Sequence, residues 1–219
     1  LVRKSLRDEF DVAVNEVGKS ILTLNWEDRE IYLDWLAQHY HLVRHTMRYI
    51  CLAAGLSPKD DDSSYQYWAR ALKGEHNHHK LLERDAEAVG GTIQTYPVRA
   101  SAERVVKSVK AAMIDSDGKA LFGYALLLEG LSCAVGEELR KRVEVAHGKK
   151  ATSFLRVHAE EDSGDDGHYV LGIDYIDKNY SASDQQAILS LLSDSAGLYQ
   201  MIVSELLESR SEVQYQKHG

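Results

Sequence analysis

A chain of 219 residues with 26 basic and 34 acidic side chains, a net charge of -8 and 44% hydrophobic residues is long enough to bury a sizeable core as one domain spanning 1–219. The acidic balance disfavours nucleic acid and anionic membranes as partners, since both need a basic surface; it leaves small molecules or proteins, with a homodimer as a possible assembly. Cys51 and Cys133 both fall in apolar helical runs, which predicts buried thiols in a reducing, cytoplasmic setting rather than a disulfide, and no targeting pattern is visible.

Pro58 and Pro97 are the only prolines, and no stretch keeps the period-2 alternation of a strand, so the predicted class is all-α. Apolar spacing predicts seven helices. The first covers Leu1 to Leu24, with Leu6, Phe10, Val14, Val17, Ile21 and Leu24 on one stripe. Asn25 can cap the second, which runs to Ala54 and stops at Gly55. Ser64 can cap the third, which ends at Gly90-Gly91, and the fourth spans about Ala100 to Asp115. The fifth covers Lys119 to about Ala146 and the sixth starts near Lys149. A capping box of Ser183 with Gln186 opens the seventh, whose stripe includes Ile188, Leu191, Leu192, Leu198, Ile202 and Leu206.

Polar residues inside apolar stripes are the informative exceptions, because burial without a partner costs roughly 1–3 kcal/mol for a neutral group and more for a charge. In the third helix the stripe is Trp68, Leu72, Leu82, Ala86 and Val89. At about 100° per residue Glu75 projects into its middle, with His78 one turn later, an E-x-x-H pair that can offer an oxygen and a nitrogen to one metal ion. In the fifth helix Glu129 is the only charge within ALFGYALLLEGLSCAVG; an isolated buried carboxylate would protonate, whereas a nearby multivalent cation keeps it ionised. A membrane span is the competing reading of that run, but it is short for one and has a carboxylate at its centre.

The segment HAEEDSGDDGH places His158, Glu161, Asp162, Asp165 and His168 on one helix face, with Glu160 pointing away. Neighbouring carboxylates repel, and Gly164 and Gly167 weaken the helix, so a cation would supply missing stabilisation. Each cluster also has a plain reading: a solvated Glu75–His78 pair, a buried salt bridge from Glu129 to an arginine, and an acidic face in water. His39 lies on an apolar stripe and reads as a packed histidine or one that supports a ligand; His41, His45, His76 and His147 read as exposed. Three separate helices turning carboxylate or imidazole groups inward favour a metal site.

Glutamate and histidine ligands from several helices, without thiolates, suit paired iron or manganese ions. The order E75-H-N-H78, then LLLE129G, then H158AEED162 resembles the heme-oxygenase-like diiron oxidases and oxygenases. That resemblance implies a single-domain, seven-helix bundle, two Fe(II) ions with manganese as an alternative, and O2 as cosubstrate. It implies oxidation of a small organic substrate (an amine, amino acid or fatty acid) by N-oxygenation, desaturation or oxidative C–C cleavage, with Glu75, His78, Glu129, His158 and Asp162 as metal ligands. The last motif departs from the family. Read from His158 it ends at Asp165 where the family has histidine; read from Glu161 it runs through Asp165 to His168. The first frame is favoured, with Asp165 or His168 as the final ligand. Arg70, Arg99 and Arg156 are candidates to meet a substrate carboxylate. Two other readings stand beside this one: a metal-free enzyme of the same fold, similar to thiaminase-II-like or PQQ-synthesis proteins, and a non-catalytic helical binding protein.

Overall fold

Ser5 opens the first helix, α1 (Leu6–Leu22), with a reciprocal cap in which its hydroxyl accepts from the Asp8 amide and the Asp8 carboxylate accepts from the Ser5 amide. All six residues of the stripe expected here are buried. The computed structural model describes residues 5–162 and 167–218, with side chains described outside 161–162 and 210–218. Every described element is helical: α2 (Arg29–Val43), α3 (Thr46–Leu56), α4 (Asp62–Gly74), α5 (His79–Ala88), α6 (Ala100–Asp115), α7 (Leu121–Leu131), α8 (Glu137–His147), α9 (Ser153–Asp162), α10 (His168–Asn179) and α11 (Ala182–His218), with short 3-10 turns between some of them. Buried residues from each of these helices join one hydrophobic core.

The bundle keeps the seven expected segments, three of them divided. The second breaks at Arg44–His45 into α2 and α3, and the sixth is α9 followed by α10. The third breaks between Gly74 and His79, where Asn77 takes the left-handed conformation at φ 67°. Asparagine tolerates that region better than most residues. The fifth is continuous from Leu121 to His147 but contains a π-helical turn at Ser132–Gly136 between α7 and α8. Such wide turns are found disproportionately at functional sites.

The expected caps shift by a few residues. Asp28, not Asn25, caps α2 by accepting from the amides of Glu30 and Ile31, and Asp61, not Ser64, caps α4 by accepting from the Ser64 amide. The box at α11 is Ser181 with Asp184 rather than Ser183 with Gln186. In each case a side chain lying just before the helix reaches the free amides of its first turn. Cys51 and Cys133 are exposed rather than buried: an apolar run does not bury every position on a helix, and Cys51 on α3 and Cys133 in the π turn fall on the solvent side.

Residues 182–209 of α11 are long and apolar enough to cross a membrane by length and composition. Their expected stripe is nonetheless buried in the core, where α11 packs along α1, α6 and α7. Gly123 permits the closest of these approaches, since a Cβ there would stand 2.2 Å from the Ile188 carbonyl oxygen and 2.7 Å from the Leu192 nitrogen.

Candidate metal centre

The break between α4 and α5 places Glu75 at the end of one helix and His78 at the start of the next, rather than in the middle of a single helix. The turn brings the Glu75 Oε2 and His78 Nδ1 atoms to 3.4 Å. His158, on α9, joins them: the ligand atoms of Glu75, His78 and His158 all lie within 4.8 Å of one another, and the His78 and His158 rings meet edge to face at 4.8 Å. Two atoms bound to one ion at about 2.1 Å sit roughly 3–4 Å apart, so the Glu75–His78 separation suits a shared cation.

His158 is also oriented for this task. Its Nδ1 lies 3.0 Å from the Phe154 carbonyl oxygen, which can only accept, so Nδ1 carries a hydrogen and, in the neutral ring, Nε2 is the nitrogen with the lone pair. Metal-bound histidines are commonly held in this way by a carbonyl behind the ring. Two nitrogens and a carboxylate without thiolate form a donor set for iron, manganese or zinc.

The helix bearing His158 is tied to the helix that begins beside His78. Asp85 of α5, fully buried, accepts from the amides of Ser153 and Phe154, each at 2.9 Å, and so caps α9. The sequence reading missed Asp85, although it lies in phase with Leu82, Ala86 and Val89 and is a polar intruder of the same kind as Glu75.

Glu75, Glu129, His158 and His168 all line one cavity of about 560 Å³. Burial raises the Glu75 pKa, but the hydrogen bond from His78 and the positive charge that His158, His78 and His168 can carry outweigh it and hold the carboxyl below its ordinary range. Glu129, half-buried on α7, stands near enough to Tyr67 that its charge adds to burial in driving that phenol far up. His168 begins α10 and is exposed on its outer side. The fold thus brings together residues from three predicted clusters. The Asp162 side chain and the whole of Asp165 lie outside the described residues, so the choice between the two frames rests on His158, which is in the cluster, and His168, which is on the same cavity wall.

The remaining candidates separate cleanly. Among the arginines, Arg99 is committed to Asp34, the Glu205 carbonyl and Ser209; Arg156 and Arg70 are both exposed, and of these two Arg70 lines the cavity. His39 is buried and stacks on Trp35 at 4.7 Å; burial, with a contribution from His158, lowers its pKa to about 3, so it is neutral. Of the histidines read as exposed, only His76 is: His41 and His45 are half-buried, and His147 stacks on Tyr32 at 5.4 Å with its Nε2 2.9 Å from the Trp26 carbonyl oxygen.

Among solved structures, the chain is similar to a domain of unknown function with a heme oxygenase-like fold from Shewanella denitrificans OS217, with a TM-score of 0.80 at 10% identity over 98% of this chain and 96% of that one. It is also similar to a TenA homolog from Pseudomonas syringae pv. tomato str. DC3000, with a TM-score of 0.74 at 12% identity over 93% of each chain. No family model and no curated protein matches the sequence. The all-α heme-oxygenase-like fold expected from the order of the motifs is the fold this chain adopts.

Proposed function

We propose that the protein is a non-heme diiron, O2-dependent oxidase or oxygenase acting on a small organic substrate held in the central cavity. The observation that carries this reading is the Glu75–His78–His158 cluster, with His158 presenting an Nε2 lone pair. A second ion would draw on Glu129 and His168, which line the same cavity, and on Asp162 or Asp165. Iron bound there would supply the electrons that reduce O2 to an oxidant, and manganese is the alternative ion.

The chain's own contribution is positioning and exclusion of water. Asp85 fixes the start of α9, and the Phe154 carbonyl fixes the His158 ring. Aromatic side chains such as Trp35, Phe122 and Phe154 line the chamber and keep it dry around an apolar substrate. In this reading Glu75 and Glu129 are ligands, not acid or base catalysts.

A metal-free enzyme of the same fold is the second reading, favoured by the likeness to the TenA homolog and by the existing Glu75–His78 pairing. There the inward carboxylates would bind substrate directly. Anaerobic reconstitution with Fe(II) and metal analysis separates the two. The diiron reading expects about two iron equivalents per chain; less than about half an equivalent, with helicity retained, supports the metal-free one.

A further inference from the structure

Two polar groups on the cavity wall are not used by the proposed metal centre. The first is Tyr124 on α7, which lines the cavity and is 4% exposed, yet its hydroxyl has no hydrogen-bond partner among the described residues. Buried hydroxyls are nearly always paired in folded proteins, so an unpaired one on a cavity wall is more readily explained by a ligand or an ordered water than by folding. Tyr49 packs edge to face on it at 6.1 Å, and Tyr199 and the Glu75 carboxylate are its further electrostatic neighbours.

The second group is His39, which lines the same cavity and also neighbours Tyr199. The Trp35 indole N–H, which can only donate, gives its hydrogen to Tyr199 Oη at 3.2 Å, and Tyr199 Oη lies 3.1 Å from His39 Nδ1. The arrangement that uses the single hydroxyl hydrogen has Tyr199 donating to Nδ1. The neutral imidazole then carries its own hydrogen on Nε2, and that N–H has no protein acceptor among the described residues. The relay from Trp35 through Tyr199 therefore sets a tautomer that leaves a donor for something else.

We infer that Tyr124 and His39 form a hydrogen-bonding subsite that binds the neutral carbonyl or hydroxyl oxygen of an amphipathic small molecule whose apolar body fills the aromatic cavity. Both groups are uncharged donors, so the oxygen they read is a neutral acceptor. A carboxylate would instead seek the guanidinium of Arg70, which lines the same cavity. The inference rests on the cavity being a substrate chamber, but not on iron.

The test uses a matched series on one scaffold: 4-phenylbutan-2-one, butylbenzene, 3-phenylpropionate and 3-phenylpropylammonium. Dissociation constants are measured by ligand-observed NMR titration on metal-free protein, so iron loading does not enter. Tyr124→Phe should weaken the ketone about five- to tenfold and leave butylbenzene unchanged. The same variant should raise the ligand-free melting temperature by ~2 °C or more, because it removes an unpaired buried hydroxyl. A tyrosine with a merely structural role would not give opposite signs in binding and stability. His39→Leu should weaken the ketone as well. Three results would each overturn the inference: equal loss of ketone and butylbenzene in Tyr124→Phe, tightest binding of the propionate with its loss in Arg70→Gln, or no binding of any probe at millimolar concentration. Should the ketone bind as expected while iron does not, the subsite stands and the diiron reading falls.

Discussion

The carboxylate of Asp85 on α5 caps the helix that carries His158, accepting from the Ser153 and Phe154 amides at 2.9 Å each. One side chain thus sets the distance between the elements bearing His78 and His158. Asp85→Ala should cost about 2 kcal/mol or more in urea denaturation, since it removes a cap and strands one buried and one part-buried amide. Iron affinity should fall with it, because the cap positions a ligand helix. Asp85→Asn keeps one acceptor oxygen and should fall between wild type and alanine.

Metal-ligand variants should rank by their place in the cluster. His158→Ala is expected to lower iron affinity about tenfold or more, and Glu161→Ala to change it little, because His158 belongs to the compact group. Glu129→Gln should retain the fold and lose much of the metal, since the amide is nearly isosteric but neutral. Equilibrium dialysis with Fe(II) reads all three. Normal loading of both His158→Ala and Glu129→Gln would rule out a metal centre built on these residues.

Acid should destabilise the fold through two histidines kept neutral by desolvation, His39 buried and His45 half-buried. Burial, with His158 nearby, lowers the His39 pKa to about 3, and burial, with Lys110 and other basic neighbours, lowers that of His45 to about 4. The unfolded chain binds a proton near pH 6.5 at each site while the folded one does not. The stabilising contribution is therefore complete above about 6.5 and is lost progressively as pH falls towards those lowered values. For His39 the loss is on the order of a few kcal/mol. His39→Leu should flatten the fall in stability between about pH 6.5 and 4 in denaturant titrations. An unchanged pH slope would show that His39 does not couple folding to protonation.

Two glycines should respond in opposite directions to the same substitution. Gly123→Ala drives a Cβ into the backbone of α11 near Ile188 and Leu192, and neither atom can move aside without displacing a helix, so a loss of about 2–3 kcal/mol is expected. A Cβ added at Gly55, in α3, would meet nothing within 4 Å; Gly55→Ala should stabilise by about 0.5–1 kcal/mol through helix propensity. Thermal melts of the two variants provide the comparison.

Helix content, the buried stripes and the order of the candidate ligands were all legible in the sequence, because the 3.6-residue period and the penalty for burying polar groups act locally. Every residue of the expected stripes of the first and last helices is buried; Glu75 and Glu129 stood out as polar groups on apolar faces, and His158 as one of several ligand-type groups sharing a helix face. Where helices break was not legible in the same way. Residues 75–78 read as one turn of a continuous helix, yet Asn77 adopts φ 67° and the chain turns there. Local propensity is nearly balanced at such a point, and packing of α4 and α5 against different neighbours decides it.

The relationships that make a site were decided only by the tertiary structure. The cap from Asp85 to α9 spans 68 and 69 residues of sequence, and the bond from Tyr199 to His39 spans 160. No periodicity relates such positions, and their partners become neighbours only once the bundle has closed. The same holds for the tautomer of His39 and for the hydroxyl of Tyr124, which has no partner among the described residues. Sequence identifies a polar group in an apolar face, but its partner, or the space left for a ligand, follows from how the helices pack.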